Sequence, residues 1–185
     1  MPEAVIVSAT RSPIGRANKG SLRDLRPDDL AATMVKAALD KVPGLDPHSV
    51  DDVYLGCGLP GGEAGNNLAR VVNVLNDMDD VPGATITRYC ASSVQTTRMA
   101  FHAIKAGEGD TFISAGVEMV SRYAKGTSDH IPGTQNPLFD AAQARTAAYA
   151  EGGSDWHDPR EDGLLPDAYI AMGQTAENVA RMRGL

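Results

Sequence analysis

The sequence predicts an α/β protein in which a parallel sheet is layered against helices. Over residues 1–120, short apolar runs rich in Val and Ile alternate with stretches whose apolar residues recur at helical spacing. Glycine-bearing or polar loops separate these runs, as strand–helix units require. With 42% hydrophobic residues in 185, the chain also has enough apolar surface for one sizeable core plus an appendage.

Residues 4–8 read as a first strand, closed by the polar loop Thr10-Arg11-Ser12-Pro13-Ile14-Gly15-Arg16. Pro27-Asp28-Asp29 places a first-turn proline and two acids at the positive end of a helix, continued by Leu30, Ala31, Met34, Val35, Ala38, Leu39 and Val42. Residues 53–55 read as a second strand, followed by a glycine-rich loop over 56–65 and a helix carrying Leu68, Val71, Val72 and Leu75. A third strand is expected over 84–89. The helix after it, over 91–105, carries Val94, Phe101 and Ile104 and stops at Gly107. Residues 111–116 make a fourth strand.

From 121 to 167 the texture changes to turn formers and polar residues, with a short helix over 137–149 and turns at 152–155 and 158–163. A helical pattern returns over 174–183 through Ala176, Val179 and Ala180. Four strands and an excursion that never rejoins them read as an incomplete architecture.

Lys+Arg 17 against Asp+Glu 24 gives a net charge of −7 with no long run of either sign, which argues against nucleic acid and an anionic membrane surface. No stretch approaches the ~20 apolar residues of a membrane span, and the amino terminus lacks a basic flank before a long apolar region. The sequence therefore predicts a cytoplasmic protein. No CxxC or paired-histidine spacing suggests a metal.

Of the two cysteines, Cys57 and Cys90, the second ends a strand and opens a helix among small residues, Ala91-Ser92-Ser93. Unpaired N–H groups and the dipole at a helix amino terminus favour a thiolate over the free thiol of pKa ~8.5. The N–H of Cys90 is also a candidate oxyanion donor. A small buried cysteine is the competing reading for both, and Cys57, with no following helix to activate it, reads as structural. His102 lies inside the helix that begins at Cys90, roughly 18 Å along its axis from the sulfur at ~1.5 Å per residue. His48, His130 and His157 read as solvent-facing. A base for Cys90 is thus expected outside these residues. Gly56-Cys57-Gly58-Leu59-Pro60-Gly61 matches G-x-G-x-x-G after a strand, with Asp77, Asp79 and Asp80 downstream, and so proposes a dinucleotide site. Pro60, Gly62 and Gly65 delay the helix that such a motif should open, which argues against it.

Several segments together resemble the thiolase family. They are Ala4-Val5-Ile6-Val7-Ser8-Ala9-Thr10-Arg11-Ser12-Pro13-Ile14-Gly15 with Gly20-Ser21-Leu22, then Asn66-Asn67-Leu68-Ala69-Arg70, then Tyr89-Cys90-Ala91-Ser92-Ser93. Gly116-Val117-Glu118-Met119-Val120-Ser121-Arg122 and Met172-Gly173-Gln174-Thr175-Ala176-Glu177 follow in the family's order. The resemblance covers the first half of a thiolase. It implies a layered α-β-α fold, with 1–120 as most of the first α/β layer and 121–185 as the start of the inserted loop domain.

It further implies acyl transfer between coenzyme A thioesters through a covalent acyl group on Cys90, with Met172 lining the acyl pocket. No resident cofactor is implied; acyl-CoA and coenzyme A are the substrates, and copies associate as a homodimer or homotetramer. The family's G-H-P histidine, its asparagine motif and its C-x-G cysteine would belong to the other half, so this chain alone is expected to be inactive. Thr87, Ala91-Ser92-Ser93 and Ala171 depart from many members, which leaves chain-length preference open. Two alternatives stand beside this reading: a ketoacyl synthase-like condensing enzyme, and a non-catalytic thiolase-like binding module.

Overall fold

The computed structural model describes residues 2–125, 129, 131–152 and 156–185. His130 lies outside these residues, as does most of the turn expected at 152–155. The chain forms two compact units, residues 1–130 and 131–185.

In the first unit, β1 (Asp52–Gly56) is central, with β2 (Gly83–Ile86) on one side and β3 (Phe112–Gly116) on the other, all parallel. Register pairs Leu55 with Thr85 and Ala115, and Gly56 with Ile86 and Gly116. Successive strand residues point to opposite faces, so each face holds its own set of side chains. One face presents Val53, Leu55, Ile113 and Ala115 to α1 (Pro27–Leu39) and α2 (Leu68–Leu75). There Ala31, Val35, Leu55, Cys57, Leu68, Ala69 and Val72 form the main core. The other face carries Tyr54 stacked on Phe112, together with Ser114, Gly56 and Gly116, beneath α3 (Ser92–Ala106). Helices thus cover both faces of a parallel sheet, the arrangement that the alternating pattern predicted.

One expectation is corrected. Residues 4–8 form no strand, and the described residues contain three strands, where four were expected. The segment runs along α1, held by Ser8 Oγ on Ala38 O at 2.9 Å and by Thr10 Oγ1 on Met34 O at 3.1 Å, while Val5, Ile6 and Val7 are 68–82% exposed. An apolar run becomes a strand only when its N–H and C=O groups find a ladder partner, and among the described residues this one finds none. On α3, Val94 is 71% exposed, whereas Ser92, Thr96 and Ala103 are buried. The helix sits so close to the sheet that only small side chains fit between them. A Cβ on Gly56 would lie 2.8 Å from the Ser92 carbonyl carbon and the Ser93 nitrogen. The Thr96 hydroxyl bonds Ser114 Oγ across the same gap at 2.9 Å.

The outer edge of β2 is partly covered by the Asn67 side chain, which donates to Gly83 O at 2.8 Å and accepts from Thr85 N at 3.0 Å. One amide thereby stands in for a stretch of neighbouring strand. Buried Asn73 holds the approach to β2 by donating to Val81 O and Pro82 O.

In the second unit, Asn136 caps a short 3₁₀ turn (Pro137–Phe139) that leads into α4 (Asp140–Ala150). Arg145 of α4 pairs with Asp167 at 2.7 Å, and Trp156 Nε1 donates to the same carboxylate at 2.9 Å. α5 (Met172–Arg183) closes the unit and ends at Gly184, whose φ of +67° is the left-handed conformation common after a helix. No helix of the described residues is long and apolar enough to cross a membrane.

Candidate active site at the head of α3

β2 ends at Ile86, and the chain reaches α3 through Thr87, Arg88 and a single 3₁₀ turn, Tyr89–Ala91. Cys90 lies in that turn, at the amino-terminal end of α3, and is exposed. Tyr89 adopts a φ of +48°, a conformation that costs a non-glycine residue roughly 1–2 kcal/mol and persists only where surroundings enforce it. The enforcing group is Ser92. Its buried hydroxyl accepts from Arg88 N at 2.8 Å and donates to Tyr89 O at 2.7 Å, tying both ends of the turn together. The small residues after Cys90 therefore do more than leave room: Ser92 is a strut within the turn, and Ser93 packs against Gly116.

The loop after β1 forms the adjoining wall. Thr87 Oγ1 donates to Gly58 O at 2.9 Å, and Gly58 N donates to Glu118 Oε2 at 2.6 Å. Tyr123 donates its hydroxyl to Glu118 Oε1 at 3.2 Å. Burial, followed by the charges of Glu118, Cys57 and Cys90, pushes the Tyr123 phenol up to about 12. Cys57 is buried beneath α1 and α2; burial, then the Glu118 carboxylate, pushes its thiol up to about 11. Glu63 binds Arg122 through both oxygens, at 2.6 and 2.7 Å, and Arg26 reaches the same carboxylate at 3.3 Å. These bonds hold Glu63 below the usual carboxylate range and pin the loop to the segment after β3.

The glycines of the G-x-G-x-x-G stretch have other work here. Gly56 lets α3 approach, Gly58 faces Glu118, and the next α-helix begins only at Leu68, so the stretch does not open a helix as a dinucleotide fingerprint would. His48 and His157 are exposed, as expected, and each ring bonds an aspartate: Asp80 at 2.7 Å and Asp162 at 2.6 Å. His102 is exposed on α3 beside Phe101. Met172, in the second unit, is the first residue of α5 and is 76% exposed. Sequence reasoning did not assign roles to Ser92, Glu118 or Tyr123. For Glu118 the signal was the family resemblance of Gly116-Val117-Glu118-Met119-Val120-Ser121-Arg122, which carries no indication of its partners.

A parallel α/β layer with an exposed cysteine on a strained turn at a helix amino terminus defines a candidate covalent-catalysis domain. The chain matches the family model for the thiolase N-terminal domain over residues 4–185. It is 37% identical to a 3-ketoacyl-CoA thiolase of Bacillus subtilis over 186 aligned positions, which cover 100% of this chain and 41% of that protein. It is 43% identical to a beta-ketoadipyl-CoA thiolase of Pseudomonas knackmussii over 141 positions, covering 75% of this chain and 35% of the relative. The crystal structure of Bacillus anthracis acetyl-CoA acetyltransferase superposes with a TM-score of 0.69 at 27% identity, over 98% of this chain and 42% of that one. The chain belongs to the thiolase family, and it spans about two fifths of the length of the full-length relatives it matches.

Proposed function

We propose that the chain is the nucleophile-bearing half of a thiolase-type acyltransferase, with Cys90 as the acyl acceptor. The observation that carries this reading is the exposed Cys90 on its latched turn at the head of α3, in a chain of this family. The Cys90 thiolate attacks the thioester carbonyl, a carbon–sulfur bond to Cys90 forms, and the bond to coenzyme A breaks. Coenzyme A leaves as a thiolate and takes up a proton. In the synthetic direction this acyl group passes to a thioester enolate. In the reverse direction the Cys90 thiolate attacks the 3-keto carbonyl of a 3-ketoacyl thioester, the C2–C3 bond breaks, the thioester enolate leaves and takes up a proton, and the acyl group passes from Cys90 to coenzyme A. The Cys90 N–H serves as one donor to the oxyanion.

Residues 1–120 act as the amino-terminal α/β layer and 121–185 as the beginning of a loop domain, with Met172 against the acyl chain. Substrates are acyl-CoA and coenzyme A, and copies associate as a homodimer or homotetramer. The proton-carrying partners of Cys90 belong to the part of the family's length that this chain does not match, so the chain alone turns over little or not at all. Intact-mass and peptide mapping after exposure to acetoacetyl-CoA, with the separately expressed second half supplied, tests the reading. An acetyl adduct on Cys90 that disappears in Cys90→Ala supports it. An adduct confined to Cys57, or none, sinks it and favours a non-catalytic binding module.

A further inference from the structure

Glu118 lies just past the carboxyl end of β3, where Val117 N donates to Gly56 O at 3.0 Å. Three donors converge on its carboxylate: Gly58 N–H and the Cys57 thiol at 3.9 Å from the loop after β1, and the Tyr123 hydroxyl from the segment after β3. Gly58 leads on to the Cys90 turn. Gly58 O accepts from Thr87 Oγ1, and a Cβ on Gly58 would sit 2.6 Å from Glu118 Oε2 and 3.5 Å from Tyr89 O, so the glycine is held between the carboxylate and the strained residue. Tyr123, in the segment after β3, donates to the other oxygen of the same carboxylate.

We propose that Glu118 is a positioning residue for Cys90, its carboxylate bridging Gly58 and Tyr123 so that the loop after β1 and the segment after β3 clamp the Tyr89–Ala91 turn. This rests on Cys90 being the acyl acceptor. Hydrogen bonds to an ionised carboxylate are roughly twice as strong as neutral ones, which suits a group that must hold a strained turn. Glutamine at 118 keeps an oxygen for Gly58 N–H and an amide that reaches the Tyr123 oxygen. Alanine keeps neither.

The test is hydrogen exchange at the amides of Ala91 and Ser92, which bond Arg88 O and Tyr89 O and so define the turn. In Glu118→Ala both should exchange roughly tenfold faster, the effect of losing about one charge-assisted bond. Glu118→Gln should stay within roughly twofold of the parent, since it keeps both contacts, and Val72 in α2 should not respond in either variant. If Glu118→Ala does not fold, Tyr123→Phe carries the test, with the same two amides exchanging roughly threefold faster, the effect of one weaker bond. Exchange at Ala91 and Ser92 that matches the parent, or a glutamine variant as fast as the alanine one, overturns the proposal. Acylation of Cys90 by acetoacetyl-CoA in the presence of the second half gives the second readout: a lower maximal rate in Glu118→Ala at an unchanged half-saturating concentration, restored in Glu118→Gln. A merely structural role would lower the melting temperature and leave that split unmoved. Exchange that responds as expected while no adduct forms on Cys90 removes the acyl-acceptor reading alone.

Discussion

Cys57 is 2% exposed in the core beneath α1 and α2, with its thiol pushed up to about 11, while Cys90 stands exposed on its turn. Because the thiolate is the reactive form, iodoacetamide near neutral pH should alkylate Cys90 more than roughly tenfold faster than Cys57. Peptide mapping after a brief exposure decides it, and equal labelling refutes the assignment. The same shift has a stability consequence. The folded thiol of Cys57 holds its proton above the ordinary value of 9.0, so its contribution is fully present below pH 9 and is lost as pH rises towards about 11. Urea midpoints measured from pH 8 to 11 should therefore fall less steeply in Cys57→Ala than in the parent. Ser92→Ala removes a buried hydroxyl with two bonds and leaves Arg88 N–H and Tyr89 O without it, for a loss of about 1–3 kcal/mol. A melting temperature equal to the parent's would show that the turn does not depend on that latch.

At the scale of elements, the seat of α3 depends on two paired glycines, Gly56 and Gly116. Added at Gly56, a methyl group meets helix backbone, which cannot rotate aside, so Gly56→Ala should cost on the order of 1–3 kcal/mol as an overpacked contact. Gly44 has nothing within 4 Å, and Gly44→Ala should fall within about 0.5 kcal/mol of the parent. Denaturant titrations of the two variants side by side check this, and equal midpoints would mean that α3 is not seated by close approach. On the opposite face, Leu68 is fully buried at the start of α2, and Leu68→Ala should cost about 2–5 kcal/mol through lost burial and the cavity left behind.

For the whole molecule, thiolysis of acetoacetyl-CoA by the chain alone should be negligible, because groups that act on a cysteine nucleophile as a unit lose most of their effect when one is removed. A spectrophotometric assay with and without the separately expressed second half measures this. Substantial turnover by the chain alone would require its base to lie within these 185 residues. Association between copies is the companion expectation. Among the described strands β2 lies at the edge, and Asn67 satisfies its outer groups at Gly83 and Thr85. Sedimentation at micromolar concentration reads the outcome, and a clean monomer counts against an interface on this layer.

The order of helices and three of the expected strands were legible in the sequence because their signals are local. Pro27 with Asp28 and Asp29 starts α1, Gly107 at φ +79° ends α3, and short apolar or β-branched runs became β1, β2 and β3. The position of Cys90 between β2 and α3 followed from the same local reading. Tertiary structure alone decided the rest. Residues 4–8 have a strand's composition and no ladder partner among the described residues, and a partner is a property of the sheet, not of the segment. Val94 and Phe101 lie at helical spacing yet face outward, because Gly56, Ser114 and Gly116 leave room beneath α3 only for Ser92, Thr96 and Ala103. A glycine reads alike in sequence whether it cradles a phosphate, makes a turn or admits a helix. Only the neighbours brought to Gly56 and Gly58 from residues 92, 93 and 118 distinguish these uses, and those contacts form between parts of the chain too far apart for any local pattern to record.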